Sequence, residues 1–468
     1  MDKNPIAESL AGRVAAAGDA PALRSAVAGV HAADIAEAFE LLDDQARSAL
    51  LYALAPRIAA EVIVLLDEAD RGELVEDMDE ASLTQVVAEL PPDDAVDVLG
   101  ELSDEQREEV LEHIPDEHAG KLEELLRYDE DTAGGIMTPD VIALETEATV
   151  SDSVRHVREA SADEDLHEIY VVDGDRRLIG IVPLRRLVTA ARDAKLGELC
   201  IRDPIVVTAD EDQEAVAQII RKYDLPALAV VDNEHRLIGR ITHDDIMDVV
   251  EEEAAEDLYR MAGTDAAELE TSSVVHAARI RLTWLIPCLF GTALTASVIM
   301  YFEATSGPKL PAAQILVLLS FIPMIGAMGG NSGIQTSTII VRGFATGDLA
   351  VRAIGIALAR EVRIGVILAL GCGVTAGVVS LLCIVGREQI LGADHMVGVQ
   401  FVRTAMSVGL GMVAAIFGAT FLGVVLPFSF RRLNVDPAIA SGPLVTTVND
   451  LVSVSIYLSI SMVTLLNG

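Results

Sequence analysis

The amino-acid sequence predicts a multidomain membrane protein that joins three architectures: an all-α superhelical N domain, an α/β domain repeated in tandem, and an α-helical transmembrane domain with five helices. Three observations predict it. Charge is divided along the chain: of a formal net charge of −39 over 468 residues, residues 276–468 carry 11 Lys and Arg against 7 Asp and Glu, so residues 1–275 hold 23 basic and 66 acidic side chains. A soluble acidic body is therefore followed by a part apolar enough for lipid. An ordered set of elements occurs twice in the middle of the chain, and five long apolar runs follow. The expected boundaries are 1–136 for the helical domain, 137–247 for the duplicated domain, 248–275 for a connector and 276–468 for the transmembrane domain.

Residues 21 to about 127 read as short helices in series: DIAEAFELLDDQARSALLYAL, RIAAEVIVLL, LTQVVAEL, DDAVDVLGEL and DEQREEVLEHI. Apolar residues recur three and four apart, with breaks at Asp or Pro about every dozen residues, the pattern of stacked short helices. Such a body repels nucleic acid, whose phosphates need Lys and Arg, and attracts cations. Acidity for solubility alone is the plainer account. The N-terminus MDKNPIAESLAGRV lacks the apolar core of a signal peptide, so this body is expected to stay in the cytosol. Cys200, Cys288, Cys372 and Cys383 show no paired spacing, so neither a disulfide framework nor a zinc site is expected.

In 137–257 the duplication is explicit. EIYVVDGDRRLIGIVPLRRLV and ALAVVDNEHRLIGRITHDDIM recur at matching offsets, each with two β-branched strands about a DG or DN turn, and each preceded by a strand and a helix. The acidic stretch DDIMDVVEEEAAEDLYRMAGTDAAELETSS then leads to the first apolar run. It is expected to be one helix of about 25 residues, nearly 40 Å long at 1.5 Å per residue. Its apolar residues Ile246, Val249, Val250 and Leu258 are too few for a deep core.

The five spans are expected at about 282–302, 312–341, 364–386, 397–427 and 439–466. The second and fourth exceed the roughly 20 residues a bilayer needs, so they tilt, break or protrude. Arg279, Arg281, Arg342, Arg352, Arg431 and Arg432 flank one side, and Lys309 and Arg387 the other. Arg360 and Arg363, in an amphipathic approach to the third span, agree with that count. The positive-inside rule then places the acidic body in the cytosol and the C-terminus outside, in a multi-pass protein of the cell membrane.

Polar groups inside the spans carry the functional reading. Pro323, Gly326, Gly329, Gly330 and Gly333 are expected to interrupt the second span, beside Asn331, Ser332, Gln335, Thr336 and Thr338. An interrupted helix exposes carbonyls where it lines an aqueous cavity, whereas small residues alone serve close packing. The fifth span opens with Pro443, Thr446, Thr447, Asn449 and Asp450. A carboxylate at membrane depth costs roughly 2.5–3.5 kcal/mol on insertion scales. No Lys or Arg of the third or fifth span is expected to neutralise Asp450, which leaves a cation or a proton. One carboxylate, threonine hydroxyls and backbone carbonyls form an all-oxygen, hard environment suited to Mg²⁺ or Ca²⁺ over copper or zinc. One carboxylate per chain also suggests two chains meeting at an axis. A helix-capping role is the structural alternative.

RYDEDTAGGIMT (127–138), the tandem repeat, PMIGAMGGNSGIQ (323–335) and VDPAIASGPLVTTVND (435–450) occur here in one order. With them the chain resembles the MgtE magnesium channels from about residue 30 to its end, and the repeat resembles a tandem pair of CBS domains. The resemblance implies a Mg²⁺-selective channel importing magnesium, a homodimer in membrane lipid with a central pore, in which Asp450 holds hydrated Mg²⁺ and Gly329, Gly330, Asn331 and Thr446 line the passage. It further implies that the connector is a plug helix, which closes the pore when regulatory Mg²⁺ bridges the acidic domains. The matching positions are Glu61, Asp93 and Asp97; Asp212, Glu214, Asp224, Asp245, Asp248, Glu253, Glu256 and Asp257; and Asp436 at the membrane end.

Two departures stand out. Ile334 occupies the second Asn of the family's GGNxGNQ pattern. Of the G-x-x-T-x-x-D pattern that grips ribose, the second CBS domain keeps Gly239, Thr242 and Asp245, but the first has Pro183 and Arg186. ATP binding to the CBS domains is thereby left open. An enzyme is not expected: an intramembrane aspartyl protease needs two carboxylates sharing a site, and only Asp450 is expected clearly within a span. A sensor with a passive anchor would need neither Asp450 nor the glycines. A channel for another divalent cation, Co²⁺ or Mn²⁺, fits the same oxygen lining.

Overall fold

The computed structural model describes residues 4–17, 19–159, 166–265, 268, 273–307, 309–346, 354–391 and 398–466. The chain divides into two compact units, residues 1–251 and 252–468. Residues 266, 267 and 269–272 of the expected connector, Arg352, and the start of the expected fourth span at 397 lie outside the described residues.

The first unit begins with helices α1 (Pro5–Ala15), α2 (Ala20–Val27), α3 (Ala32–Phe39), α4 (Asp44–Ala53), α5 (Pro56–Val64), α6 (Glu68–Glu76), α7 (Glu80–Val87), α8 (Pro92–Gly100), α9 (Asp104–His113) and α10 (Asp116–Leu125). Acidic and small polar residues start many of them. The side chains of Asp19, Asp43, Asp79 and Ser103 accept from the first-turn backbone N–H groups of α2, α4, α7 and α9, satisfying donors that a helix leaves unpaired. The helices pack mostly on the next but one, α1 on α3, α3 on α5, α5 on α7 and α7 on α9, with α2 on α4, α6 on α8 and α8 on α10. That alternation is the expected superhelix, and it starts earlier than residue 21.

The repeat folds twice in one order. β1 (Ala143–Glu145), α11 (Val150–Glu159), β2 (Glu168–Val172), β3 (Leu178–Pro183) and α12 (Leu184–Thr189) are followed by α13 (Leu196–Leu199) and β4 (Ile201–Arg202). The second copy is β5 (Val206–Thr208), α14 (Gln213–Tyr223), β6 (Ala227–Val231), β7 (Leu237–Thr242) and α15 (His243–Ala262). β1 runs parallel to β2 and β5 parallel to β6, while the β2–β3 and β6–β7 hairpins are antiparallel. Asp173 and Asp232 shape the two hairpin turns identically, each accepting from the N–H groups two and four residues on. The hairpins also bond to one another, Leu178 N–H to His235 C=O and Leu237 N–H to Arg176 C=O.

RYDEDTAGGIMT is the hinge piece that docks the helical domain on the second copy. Ala133 N–H donates to Glu211 C=O, Gly134 N–H to Ala209 C=O, and Gln213 N–H to Asp131 C=O. Both glycines are required by crowding: a Cβ on Gly134 would stand 2.5 Å from the Tyr128 ring, and one on Gly135 2.5 Å from the carbonyls of Asp129 and Glu130. One hydrophobic core consequently runs from the N-terminal helices through Leu122, Leu125 and Met137 to Val207, Val216, Ile246 and Val249.

In the second unit five helical segments are long and apolar enough to cross a membrane: Val274–Ser306, Ala312–Ala345, Ile354–Arg387, Gln400–Arg432 and Pro443–Leu466. They are built from α16 (Val274–Ser306), α17 (Ala312–Ser320), α18 (Ile322–Ala345), α19 (Ile354–Leu391), α20 (Gly398–Arg432) and α21 (Pro443–Leu466), with a short 3₁₀ turn at Pro437–Ser441. Helix α20 packs on α18, α19 and α21, and α21 on α16 and α18.

Three expectations are corrected. The second span breaks once, at Phe321, and its glycines lie inside the unbroken helix α18. Pro323 stands in the first turn of α18, where its missing N–H is no loss, so it starts the helix and does not kink it. The Tyr457 hydroxyl donates to Leu318 C=O at 2.9 Å, next to the bond that the same carbonyl accepts from Phe321 N–H. The connector helix ends at Ala262, because Gly263 at φ 80° turns the chain, and it is 20 residues long. Third, the apolar helix α19 begins at Ile354, so Glu361 lies within it, buried at 3% exposure. Asp450 is not the only carboxylate in a span.

Candidate functional site

The site around Asp450 is a match between two helix faces. Residues 326, 329, 330 and 333 of α18 are glycines at i, i+3, i+4 and i+7, and one face of α21 carries Thr446, Asn449, Asp450 and Ser453 at the same spacing. A Cβ on Gly326 would come 3.3 Å from Asp450 Oδ1, and one on Gly330 3.3 Å from the Thr446 methyl and 3.6 Å from Asp450 Oδ1. On Gly329 it would lie 2.2 Å from Ser453 Oγ, and on Gly333 1.6 Å from Asn449 Nδ2. Glycine in a helix costs about 0.5–1 kcal/mol relative to alanine. The return is a groove into which a polar helix face fits, with Asp450 half-buried against it. Helix α16 closes in behind, where Gly291 abuts the Thr447 methyl.

Gly329 and Gly330 are buried in this contact, while Asn331 and Gln335 are exposed on other faces of α18. Asn449 is fully buried, and neither its amide N nor its O has a hydrogen-bond partner; Ser453 Oγ is in the same condition. The groove therefore presents oxygens and donors that no described residue satisfies, next to the carboxylate. That chemistry fits a hydrated hard cation as cargo.

A second cluster lies where the end of α15 meets the start of α21, within the second unit. Arg260 donates to Asp436 at 2.6 Å and also pairs with Glu256 one turn earlier. Burial, then the charges of Asp436 and Glu253, push the Asp257 carboxyl up to about 6, against the pull of Arg260. Gly263 faces the Pro443 ring so closely that a Cβ would stand 2.4 Å from its Cγ, and a Cβ on Gly442 would lie 2.7 Å from Met261 C=O. Asp436 also accepts from Ala438 N–H, fixing the 3₁₀ turn before α21.

The third cluster is in the first unit. Burial, then Asp94 and Asp245, push the Asp93 carboxyl up to about 8. Burial, then Asp97 and Asp245, raise Asp94 to about 7, with Asp248 adding and Arg71 opposing. Asp93 Oδ1 is enclosed and has no hydrogen-bond partner. Burial raises Asp245, against hydrogen bonds from Thr242 N–H at 2.8 Å and Thr242 Oγ at 2.7 Å. Asp248 is raised by burial and then by Asp245. An orphaned, buried carboxylate oxygen among like charges fits a divalent cation, which would be held by Asp93, Asp245 and their neighbours and would supply positive charge there.

Other expected residues are accounted for locally. Asp212 caps α14 by accepting from Glu214 N–H, and Glu214 accepts from Gln218 at 3.1 Å. Asp224 ends the same helix in the left-handed region at φ 52°. Glu61 is exposed and pairs with Arg57 at 3.3 Å. Among the described residues of this one chain, no three His, Cys, Asp or Glu side chains already converge on a metal position. Asp94 and Glu361 escaped sequence reasoning. PPDDAVD, with adjacent aspartates at a helix start and a third one turn on, was the available signal for Asp94.

Comparison with known proteins gives a consistent answer. Residues 322–460 match the MgtE divalent cation transporter family, 30–131 the MgtE intracellular N domain, and 133–193 and 196–252 the CBS domain. The magnesium transporter MgtE of Thermus thermophilus is 35% identical over 344 residues, 73% of this chain and 72% of the relative. That of Enterococcus faecalis is 35% identical over 345 residues, 73% and 71%. The crystal structure of the cytosolic domain of the Mg²⁺ channel MgtE in complex with ATP is 33% identical and covers 52% of this chain and 99% of that one, at a TM-score of 0.49.

Proposed function

The chain belongs to the MgtE family of magnesium transporters, multi-pass membrane proteins with an intracellular N-terminal domain and no enzymatic activity, and from this premise we propose that it is a homodimeric, Mg²⁺-selective channel that imports magnesium and is closed by cytosolic Mg²⁺. The observation that carries the reading is the seating of Asp450 in the glycine groove of α18, beside buried polar groups with no partner of their own. Asp450 recognises the ion through its waters, because Mg²⁺ sheds them reluctantly. Thr446 and the backbone of the groove border the same passage.

Regulation rests on the two other acidic clusters. Asp93, Asp94, Asp97, Asp245 and Asp248 form a cluster of like charges in the first unit, and in the second Asp436 and Glu253 repel Asp257 while Glu256 and Asp436 share Arg260. Divalent ions relieve such repulsion over distances below the roughly 8 Å screening length. Helix α15 contributes to both groups, so its position follows cytosolic Mg²⁺, and its end abuts Gly442 and Pro443 at the head of the Asp450 helix. The domain limits 1–136, 137–247, 248–275 and 276–468, the external C-terminus and the pore roles of Gly329, Gly330 and Asn331 belong to the same proposal. ATP is left outside it: Thr242 and Asp245 are bonded to each other, and Pro183 and Arg186 replace their counterparts.

The test is flux into liposomes holding a Mg²⁺-sensitive dye. Asp450→Asn and Asp450→Ala are expected to abolish Mg²⁺ entry or its selectivity over Ca²⁺, Co²⁺ and Mn²⁺ in a folded dimer. Full Mg²⁺-selective flux through Asp450→Ala would remove Asp450 from ion recognition. Equal entry of Co²⁺ or Mn²⁺ through the wild type would favour a general divalent channel.

A further inference from the structure

Glu361 is a carboxylate inside the third apolar helix, 3% exposed, that the proposed transport path does not use. Among the described residues no hydrogen bond or ion pair reaches it. Its flanking arginines do not turn toward it: Arg360 and Arg363 are exposed, and Arg363 Nε donates to Ala359 C=O of its own helix at 3.0 Å.

The residues one turn either side show which way position 361 faces, since positions four apart share a helix face. Ala357 packs with Ile340 and Phe344 of α18 and Val424 and Phe428 of α20. Gly365 faces Thr420 of α20, where a Cβ would stand 3.1 Å from the methyl and 3.2 Å from the hydroxyl. Glu361 therefore lies on the stripe of α19 turned to α18 and α20. The interface there is polar as well as buried. Thr420 and Ser332 hydroxyls are 3.1 Å apart, and Thr336 lies against Gly423. All three side chains are buried.

An ionised carboxylate among apolar helices is costly unless paired or neutralised, and an ionisable residue within a span marks a functional site by default. We propose that Glu361, with the hydroxyls of Ser332 and Thr420, forms a site for a dehydrated monovalent cation of sodium size, on the face of α18 beside its glycine groove. Charge selects the class of ion. One carboxylate and neutral hydroxyl oxygens balance a single positive charge, whereas a divalent ion would leave a net positive charge in the same buried space. Mg²⁺ would in addition have to give up waters that it keeps. The ion would tie α19 and α20 to the face of α18 that flanks its glycine groove, and so would support the bed on which Asp450 rests.

The test is thermal unfolding of the full-length detergent-solubilised protein in NaCl, KCl and choline chloride at equal ionic strength and constant Mg²⁺. The melting temperature is expected to rise by several degrees in NaCl over choline chloride, with a smaller rise in KCl. Glu361→Gln and the near-isosteric Thr420→Val should each lose most of the sodium increment, and ²²Na⁺ should bind the wild type about once per chain. Identical melting in all three salts, or a sodium increment that survives both substitutions, would overturn the site. Should Glu361→Gln not accumulate, Thr420→Val decides by the same criterion. Stabilisation by Mg²⁺ and not Na⁺, lost in either variant, would overturn the monovalent assignment in favour of a divalent site.

Discussion

Arg260 and Asp436 are joined by a 2.6 Å ion pair although 176 residues separate them. The pair fastens the last turn of the connector helix to the turn that starts the Asp450 helix. Glu256 shares the same guanidinium, and burial, then the charge of Asp436, push the Asp257 carboxyl up to about 6. One protein cation thus serves several carboxylates, and a bound divalent ion would do the same work. Arg260→Gln is therefore expected to make this junction dependent on Mg²⁺. Hydrogen exchange over residues 253–265 of the full-length variant should be faster than wild type without Mg²⁺ and return toward wild type when Mg²⁺ is added. Equal exchange in both proteins without Mg²⁺ would show that the pair does not hold the junction.

The acidic cluster of the first unit predicts an unusual response to pH. Asp93 and Asp94 titrate at about 8 and about 7, above the ordinary 3.8. A folded-state value above the unfolded one means that the folded chain holds protons more tightly. The associated stability is fully present below about pH 4 and is lost as pH rises through 7 and 8. Without Mg²⁺, the intracellular part should lose up to about 1.4 kcal/mol of stability per pH unit for each proton involved between pH 5 and 8, and its melting temperature should fall accordingly. Asp93→Asn should flatten that slope, and Mg²⁺ should stabilise the wild type much more at pH 8 than at pH 5. A melting temperature that rises over the same range in EDTA contradicts the assignment.

Much of this architecture is legible in the sequence because local chemistry and tertiary packing agree. Aspartates and Ser103 mark helix starts in the N-terminal array, and the paired YVVDGDRRLIG and AVVDNEHRLIG segments become superimposable hairpins. The glycines of the second span were harder to read. Gly326, Gly329, Gly330 and Gly333 suggest a break when taken alone, since glycine is a poor helix former. Only their register against Thr446, Asn449, Asp450 and Ser453, more than a hundred residues away, shows that they are a packing face. Glu361 was concealed by Arg360 and Arg363, which make its segment look like an amphipathic lead-in. Its burial depends on Gly365, Thr420 and the α20 contact, none of which is a local property.

The groove supplies a sharp steric prediction. Gly333→Ala would place a methyl 1.6 Å from Asn449 Nδ2, whereas a Cβ on Gly371 meets nothing within 4 Å. Overpacking a filled interface costs about 1–3 kcal/mol and sometimes more. Gly333→Ala should lower the melting temperature of the solubilised protein and reduce Mg²⁺ flux, because α21 must shift to admit the methyl. Gly371→Ala should leave both near wild type. If the two variants behave alike, the α18–α21 packing does not position Asp450.

The connector helix gives the final prediction. α15 runs unbroken from His243 to Ala262 and carries both Asp248 and Asp257. At one end Asp248 repels Asp245 and Asp94; at the other Asp257 repels Asp436 and Glu253. Coupling between sites is reciprocal, so under the proposed gating the ions that prefer the closed arrangement of these carboxylates also favour the closed pore. Replacing Asp248 and Asp257 by Asn and Glu253 by Gln removes repulsion and ion ligands together. The triple variant should be more stable than wild type without Mg²⁺ and less stabilised by adding it, and its channel should stay open at Mg²⁺ concentrations that shut the wild type. Flux that closes at the wild-type Mg²⁺ concentration would leave α15 a passive linker, whatever its stability.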